Sequence, residues 1–461
     1  MPTLEQQIHL LNCELHELAR ENAKWLEYFF DQSEGFLQVT GESALNCCVG
    51  ERMTVTPALV PQSVSDRFAR CQRAFKAALN VIFDGRMEGS WFRLAEALRL
   101  EEPTMKYVDP NRRPRFLTIA RPDIVIHDDD VTMVEPNAGS SVGYMPDADI
   151  LGRLFEAAPI IGSFLKERVA RRPDVVGTLA AYLRERLIDA GQSPEDALVV
   201  VTEFKADLGG ACDDCPGIAR ELCRHGLRAE AVAVEDLDVS KSGIALEGER
   251  CRLLYRVAGE EPDPVGNYPL LEPILLAGRQ GKVVLVDEID DAIAVNKTIL
   301  ATVSEELDAG RLPHDLAADL ESFIPWSRVL EPKHVEIDGE RVDLPKWCLA
   351  NREALVLKPG AGYGGRGVRI GCEADPEHWA TALGDALTSS EAWLVQRLAR
   401  SHVTTTSILK CGSLATEENY VDYGSFAIGG TVAATIVRKT APFGGKSRKV
   451  KNGAAGPVFI I

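Results

Sequence analysis

Hydrophobic residues recur three or four positions apart at the start of the chain: Ile8, Leu11, Leu15, Leu18, then Trp25 or Leu26. The spacing predicts an amphipathic helix over residues 3–30, with Thr3 and Gln6 placed as a capping box. The aromatic stripe of Trp25, Tyr28 and Phe29 reads as core packing. Similar spacing predicts helices over 63–80 and 90–100, so the first hundred residues read as mainly helical. The pattern then changes. Ile124–Ile126 and Val131–Val134 are short apolar runs flanking the turn-forming triplet Asp128-Asp129-Asp130, a strand–turn–strand signal. Helical spacing returns over 148–190. Ala197–Thr202 is an unbroken apolar run, as in strands buried on both faces. A Gly209-Gly210 turn, a helical stretch to His225 and a second strand at Glu230–Val234 complete a β-α-β unit. Strands at Arg252–Val257 and Lys282–Val286, separated by a turn at Gly266–Pro269, make a small doubly wound layer. From Asn296 two helical segments lead to a break at Ile324–Arg328. Beyond about Ala350 strands and glycine-rich turns dominate, with no internal repeat and no low-complexity linker.

A chain of 461 residues has room for about two to four domains. Its net charge of −18, with no offsetting basic stripe, argues against nucleic acid as a partner. The most basic stretch, Lys439 to Lys451, lies among glycines and reads as a local anion contact. No window reaches the roughly 18 apolar residues of a membrane span, and the N-terminus lacks signal-peptide regions. A cytoplasmic protein without a membrane partner is expected. The eleven cysteines are mostly isolated among apolar residues and read as reduced thiols. Cys212, Cys215, Cys223 and His225 approach a zinc pattern. The C-x-H spacing is tight and the segment reads as a helix, so zinc is the weaker reading there.

Two stretches carry candidate chemistry. If the acidic hairpin is centred on Asp129, Asp123 lies opposite Glu135 and Arg121 opposite Asn137. Strand alternation then sends all four side chains to one side. Two directly opposed carboxylates repel unless a cation lies between them. Asp123, Glu135 and Asn137 are hard oxygen ligands, the set that suits Mg²⁺ carrying nucleotide phosphates. The same residues also fit an acidic surface hairpin with a local arginine pair. The second stretch is Leu355–Ile370, where a strand ends at Lys358 and runs into five glycines in eight residues, among them Gly360, Gly362, Gly364 and Gly365. Glycines let backbone N–H groups approach phosphate, and the lysine adds a point charge. The spacing is not that of a Walker A loop. It reads as a flap over a nucleotide, or as a plain hairpin with a flexible loop. The strand ending at Gln396 offers its backbone to an adenine edge, or is core. Arg438 ends another strand and is a phosphate clamp or an ordinary surface arginine. No nucleophile elbow and no paired-histidine metal motif occurs.

The order of these elements resembles the circularly permuted ATP-grasp ligases, a family related to glutathionylspermidine synthetase through its synthetase domain. Arg121-x-Asp123 and Glu135-x-Asn137, twelve positions from Asp to Glu, come before Lys358 and its loop. Shorter stretches are also similar: Leu254-Tyr-Arg256, Asn296-Lys297, Asn351-Arg-Glu353 and Asp422-Tyr-Gly424. The resemblance covers about residues 115–461. It implies an α/β fold with α+β elements: an ATP-grasp core in permuted order, a pre-ATP-grasp-like layer and a helical N-terminal region. The domains implied are 1–110, helical; 111–150, the metal-ligand segment; 151–295, the small α/β domain; and 296–461, the nucleotide-binding part. The implied activity is ATP- and Mg²⁺-dependent ligation of a small carboxylic acid to an amine through an acyl phosphate. Asp123, Glu135 and Asn137 would hold metal, and Lys358, the loop glycines and Gln396 the nucleotide. Arg121 or Arg438 would stabilise the oxyanion. A kinase on the same fold and a non-catalytic partner protein are the alternatives. A homodimer is compatible with the chain, without a motif that shows one.

Overall fold

The N-terminal pattern folds as the helix Leu4–Glu21, capped as Thr3-x-x-Gln6 predicts: Thr3 Oγ1 accepts from the Gln6 N–H and Gln6 Oε1 from the Thr3 N–H. The helix is interrupted by a turn at Asn22 and resumes over 23–30. The computed structural model describes residues 2–30, 52–100, 108–209, 214–258, 268–286, 296–362, 365–410, 413–440 and 454–461. Helices Gln62–Asp84 and Trp91–Leu98 follow the predicted spacing, the second capped by Ser90. The first hundred residues are not only helical, however. Arg52–Thr54 and Ala58–Val60 are strands, pairing with Val403–Lys410 and Ala454–Ile460. Three-residue strands are too short to display alternation, and their partners lie at the far end of the chain.

These strands belong to a nine-stranded sheet whose centre is the long strand Ser413–Ile428, flanked by Val403–Lys410 and Thr431–Thr440. The acidic hairpin, Asp123–His127 and Asp130–Glu135, joins the same sheet. Ile124 pairs with Tyr423 and Asp123 with Gly424. An element from the first third of the sequence is thus placed beside strands from its last part. Helix Gln62–Asp84 covers one face, burying Phe68, Phe75 and Leu79 near Tyr423 and Val437. The Phe68 and Tyr423 rings are 5.7 Å apart.

The predicted doubly wound layer is present. Arg228–Ala233, Leu198–Glu203, Glu249–Arg256 and Val284–Val286 lie parallel in that spatial order. Strand order, not chain direction, reverses between Leu198–Glu203 and Glu249–Arg256, which makes their carboxyl ends a topological switch point. The short polar strands Asp238–Ser240 and Gly243–Leu246 extend the sheet antiparallel and escape the sequence pattern. A four-stranded sheet, ordered Ser327–Val329, Trp393–Arg397, Leu355–Pro359, Arg369–Ile370, carries the glycine-rich loop. Its far face packs Leu355, Leu357 and Val395 against Trp379, Leu383 and Cys348 from helices Pro376–Thr388 and Leu344–Ala350. Among the described residues no helix is long and apolar enough to cross a membrane.

Candidate functional site

The hairpin is not centred on Asp129. His127 pairs with Asp130, leaving Asp128 and Asp129 as a two-residue turn, and pairing runs on to Ile124 opposite Met133. The register then slips by one residue, and Asp123 faces Glu135. Val134 is the extra residue of a β-bulge. The opposed carboxylates therefore arise, but through a bulge that the sequence pattern did not reveal. The Arg121 N–H donates to the Asn137 carbonyl at 2.8 Å, as the predicted opposition requires.

The bulge matters because it presents the Val134 carbonyl, which accepts from Lys358 Nζ at 2.7 Å. Lys358 Nζ also donates to Gln396 Oε1 at 2.8 Å, and Gln396 Nε2 donates to Ser327 Oγ at 3.2 Å. Gln396 therefore contributes its side chain, not only the backbone of its strand. A second lysine arrives from elsewhere. Lys297, just before helix Ile299–Asp308, sits 3.1 Å from Glu135 Oε1 and donates to the Gly362 carbonyl. Its backbone N–H donates to Gly360 O at 2.9 Å. The Asn296-Lys297 pair carried family resemblance in the sequence but no assigned role. Asn296 Oδ1 accepts from the Thr298 N–H and Oγ1, which fixes the turn that aims Lys297.

Each carboxylate of the opposed pair thus has its own cation. Arg438 pairs with Asp123 Oδ2, and Arg121 Nη2 lies 3.7 Å from Asp123 Oδ1. Arg121 Nη1 also donates to Gly143 O at 2.9 Å, with its guanidinium 5.4 Å from the Tyr144 ring centre. Asp422, across the sheet from Arg438, is a further carboxylate that the sequence reading did not place at the site. Burial opposes the Arg438 charge, yet Asp123 and Asp422 hold its pKa above the usual guanidinium value. Burial lowers that of Arg121, with Asp123 resisting. Burial also brings Lys358 down to about 8, with Lys297 adding to the fall and Glu135 opposing it. Lys297, Lys358, Arg121 and Arg438 outnumber Asp123, Glu135 and Asp422, a local positive excess in a chain of net charge −18.

Two glycines permit this packing. A Cβ on Gly360 would stand 2.8 Å from Ala392 O and 3.0 Å from Asn296 Oδ1; one on Gly424 would stand 3.0 Å from Arg121 Cδ and 3.1 Å from Ile436 Cγ1. Gly424→Ala is expected to destabilise the protein by roughly 1–3 kcal/mol through overpacking on Arg121. Gly384→Ala, on an open helical surface, should stabilise it by about 0.5–1 kcal/mol. Urea unfolding of both variants checks the contrast, and equal midpoints would refute it.

The remaining candidates fall into place unevenly. Asn137 borders an apolar crevice with Gln72, Phe75 and Leu117, and among the described residues no hydrogen bond ties its side chain to Asp123 or Glu135. Gly360 and Gly362 touch Lys297, while Gly365 lies further along the loop in a left-handed conformation at φ +70°. Gly364 lies outside the described residues, as does Cys212. Cys223 Sγ donates to Ala229 O, His225 Nε2 faces Asp174 Oδ2 at 3.4 Å, and Cys215 is buried in its helix. The described cysteines are free thiols.

A cleft adjoins the cluster on one side and a packed contact on the other. A polar cleft of about 1070 Å³, lined by Thr132, Ser304, Trp326, Arg328, Arg397 and Leu398, shares strands with Val134 and Gln396. On the Arg121 side, the loop after the hairpin docks at the switch point of the α/β layer. Ser140 Oγ donates to Arg256 O, Tyr255 OH donates to Ser140 O at 3.2 Å, and the Tyr144 N–H donates to Asp214 Oδ2 at 2.7 Å. Thr202 Oγ1 is buried there without a hydrogen bond.

No protein-family model matches the chain. A protein of Frankia alni, named provisionally as glutamate–cysteine ligase 2-3, is 26% identical over 234 residues. That match spans 48% of this chain and 25% of the relative's length. The fold is similar to that of a glutathione synthetase-like effector from Globodera pallida in its apo form: TM-score 0.54, 11% identity, 89% of this chain and 90% of that one. Neither match is to glutathionylspermidine synthetase, the relative whose spacing the hairpin resembles. The chain has a mixed α/β fold similar to that of a glutathione synthetase-like protein, and part of it is related in sequence to a protein that bears a ligase name.

Proposed function

We propose that the chain is an ATP- and Mg²⁺-dependent carboxylate–amine ligase, built on an ATP-grasp fold in circularly permuted order. The observation that carries this reading is the convergence of Lys297 and Lys358 on Glu135 and the bulged Val134 carbonyl. Buried cations in excess of carboxylates favour a polyanion, and a nucleotide triphosphate supplies one. The ligase and synthetase names of the matched proteins support the same reading.

The donor set fits a hard cation. Asp123 Oδ1 is buried without a hydrogen bond, and among the described residues the Glu135 carboxylate pairs with Lys297. Asp123 and Glu135 would hold Mg²⁺, with Asn137 as the third residue of the sequence pattern. When bound, the cation neutralises phosphate oxygens during transfer. The chain's own residues do the rest. Lys297 and Lys358 hold phosphates, and the loop at Gly362 and Gly365 offers backbone N–H groups and excludes water, the Gly360 N–H being taken by Ala392 O. The cleft beside Gln396 and Arg397 has space for the nucleoside. The acid substrate attacks the γ-phosphorus and becomes an acyl phosphate with loss of ADP. The amine then attacks the acyl carbon and phosphate leaves. Arg121 lies where it can stabilise the tetrahedral oxyanion, while Arg438 is committed to Asp123.

Lys358 offers a test with a pH signature. Only the protonated lysine attracts phosphate, so ATP affinity should fall as pH rises through about 8. Lys358→Arg, charged at every accessible pH, should flatten that dependence. Lys358→Ala should weaken binding about 10–100-fold at pH 7. Isothermal titration with Mg-ATP measures all three, and an unchanged affinity in Lys358→Ala would count against the assignment.

A further inference from the structure

The hairpin that bears Asp123 and Glu135 has a strained tip, and the N-terminal helix holds it. Asp128 adopts φ +52°, the left-handed region that side chains other than glycine occupy at a cost. Both backbone groups of this residue go to Glu5. The Asp128 N–H donates to Glu5 Oε2 at 2.8 Å, and the Asp128 carbonyl accepts from the Glu5 N–H at 3.0 Å. Next to it, Asp129 Oδ1 accepts from the Leu4 N–H at 2.9 Å.

The contact is reciprocal. The first N–H groups of a helix have no partner within it. Here Leu4 and Glu5 find theirs on the hairpin and Gln6 finds Thr3. Asp129 also places a negative charge at the positive end of the helix dipole. Glu5, His127 and Asp128 bring their ligand atoms within 4.8 Å of one another, but Glu5 Oε2 is already committed to the Asp128 N–H. The group reads as a latch rather than an ion site. Elsewhere the strands are held by Phe323 O on the Met133 N–H, Ser322 O on Thr132 Oγ1 and Ile126 O on the His402 N–H. Among the described residues these contacts grip the strands, whereas the helix grips the turn.

Register is what the turn decides. The ladder already changes register once, at the Val134 bulge, and a one-residue slip would send strand side chains to the opposite face. A slip of Asp130–Glu135 along Asp123–His127 would carry Glu135 away from Lys297 and out of opposition to Asp123, which its pairing with Gly424 holds in place. We infer that the N-terminal helix is a brace that fixes the acidic hairpin's register, with Glu5 as a positioning residue for the Asp123–Glu135 pair. The link to metal and nucleotide rests on the proposed function; the brace itself does not.

The test uses the full chain with Glu5→Ala and Glu5→Gln, the second retaining an acceptor oxygen. Amide hydrogen exchange by mass spectrometry should rise about tenfold over the hairpin peptide in Glu5→Ala, the loss of roughly one charge-assisted hydrogen bond. Glu5→Gln should restore most of the protection. The Mg²⁺ concentration for half-maximal ATP binding should rise several-fold in Glu5→Ala and return towards normal in Glu5→Gln. Unchanged hairpin exchange in Glu5→Ala, or a rise spread evenly over the protein, would overturn the brace. Faster hairpin exchange with unaltered Mg-ATP binding would overturn the positioning role. If the unsubstituted protein binds no Mg-ATP, the ligase reading fails while exchange still decides the brace.

Discussion

Glu135→Ala is expected to abolish ATP-dependent turnover, with a fall of about 10³-fold or more, while leaving the fold intact. Glu135 lies at the edge of the cluster, its side chain 23% exposed, and among the described residues it forms an ion pair with Lys297. Removing it costs the fold little, because Lys297 keeps its bond to Gly362 O and is not left without an acceptor. Removing it costs the chemistry one of the two carboxylates offered to a cation. Glu135→Gln should fall nearly as far, since it keeps the size and hydrogen-bonding reach but loses the charge. Initial-rate assays beside far-ultraviolet circular dichroism check both variants. Near-normal turnover in either one would dismiss the metal-ligand role.

A second large effect is structural. Arg438→Met should destabilise the protein by about 3–5 kcal/mol, because it removes the direct partner of buried Asp123 and leaves its charge to the more distant Arg121. Arg121 compensates only in part, since it stands at 3.7 Å without a hydrogen bond to Asp123 and already donates to Gly143 O. Adding Asp123→Asn to Arg438→Met should recover most of the loss, because the amide carries no charge to compensate. The double-mutant cycle, measured by urea unfolding, should return a coupling energy of about 2–3 kcal/mol. Additive effects would mean that the pair does not act as a unit. This prediction holds whether or not the protein is a ligase.

What the sequence revealed and what it hid divide along physical lines. Local rules were legible. Thr3-x-x-Gln6 capped its helix, the apolar run Ala197–Thr202 became a strand in a parallel layer, and turn residues between two apolar runs made a hairpin. The opposition of Asp123 and Glu135 was also legible, although the route to it was not. No residue type announces the Val134 bulge, which arises because the surrounding sheet fixes both ends of the strand. Lys297 and Asp422 were hidden for a related reason. Their roles exist only once remote strands bring them to the hairpin, and neither sits in a local motif with a mechanism of its own. The strands Arg52–Thr54 and Ala58–Val60 were hidden because their partners lie several hundred residues away. Lys358 and its glycine loop were found because strand, lysine and turn are contiguous in sequence.

The central claim is that ATP cleavage is coupled to joining an acid and an amine. It is tested most directly by measuring ADP release with Mg-ATP and a panel of amino acids and small peptides, with and without added amines. The account predicts that one acid and one amine together release ADP and phosphate in equal amounts with the amide product, and that omitting the amine suppresses steady turnover. ADP release at full rate with the acid alone, accompanied by a stable phosphorylated product, would contradict ligation and identify a phosphotransferase.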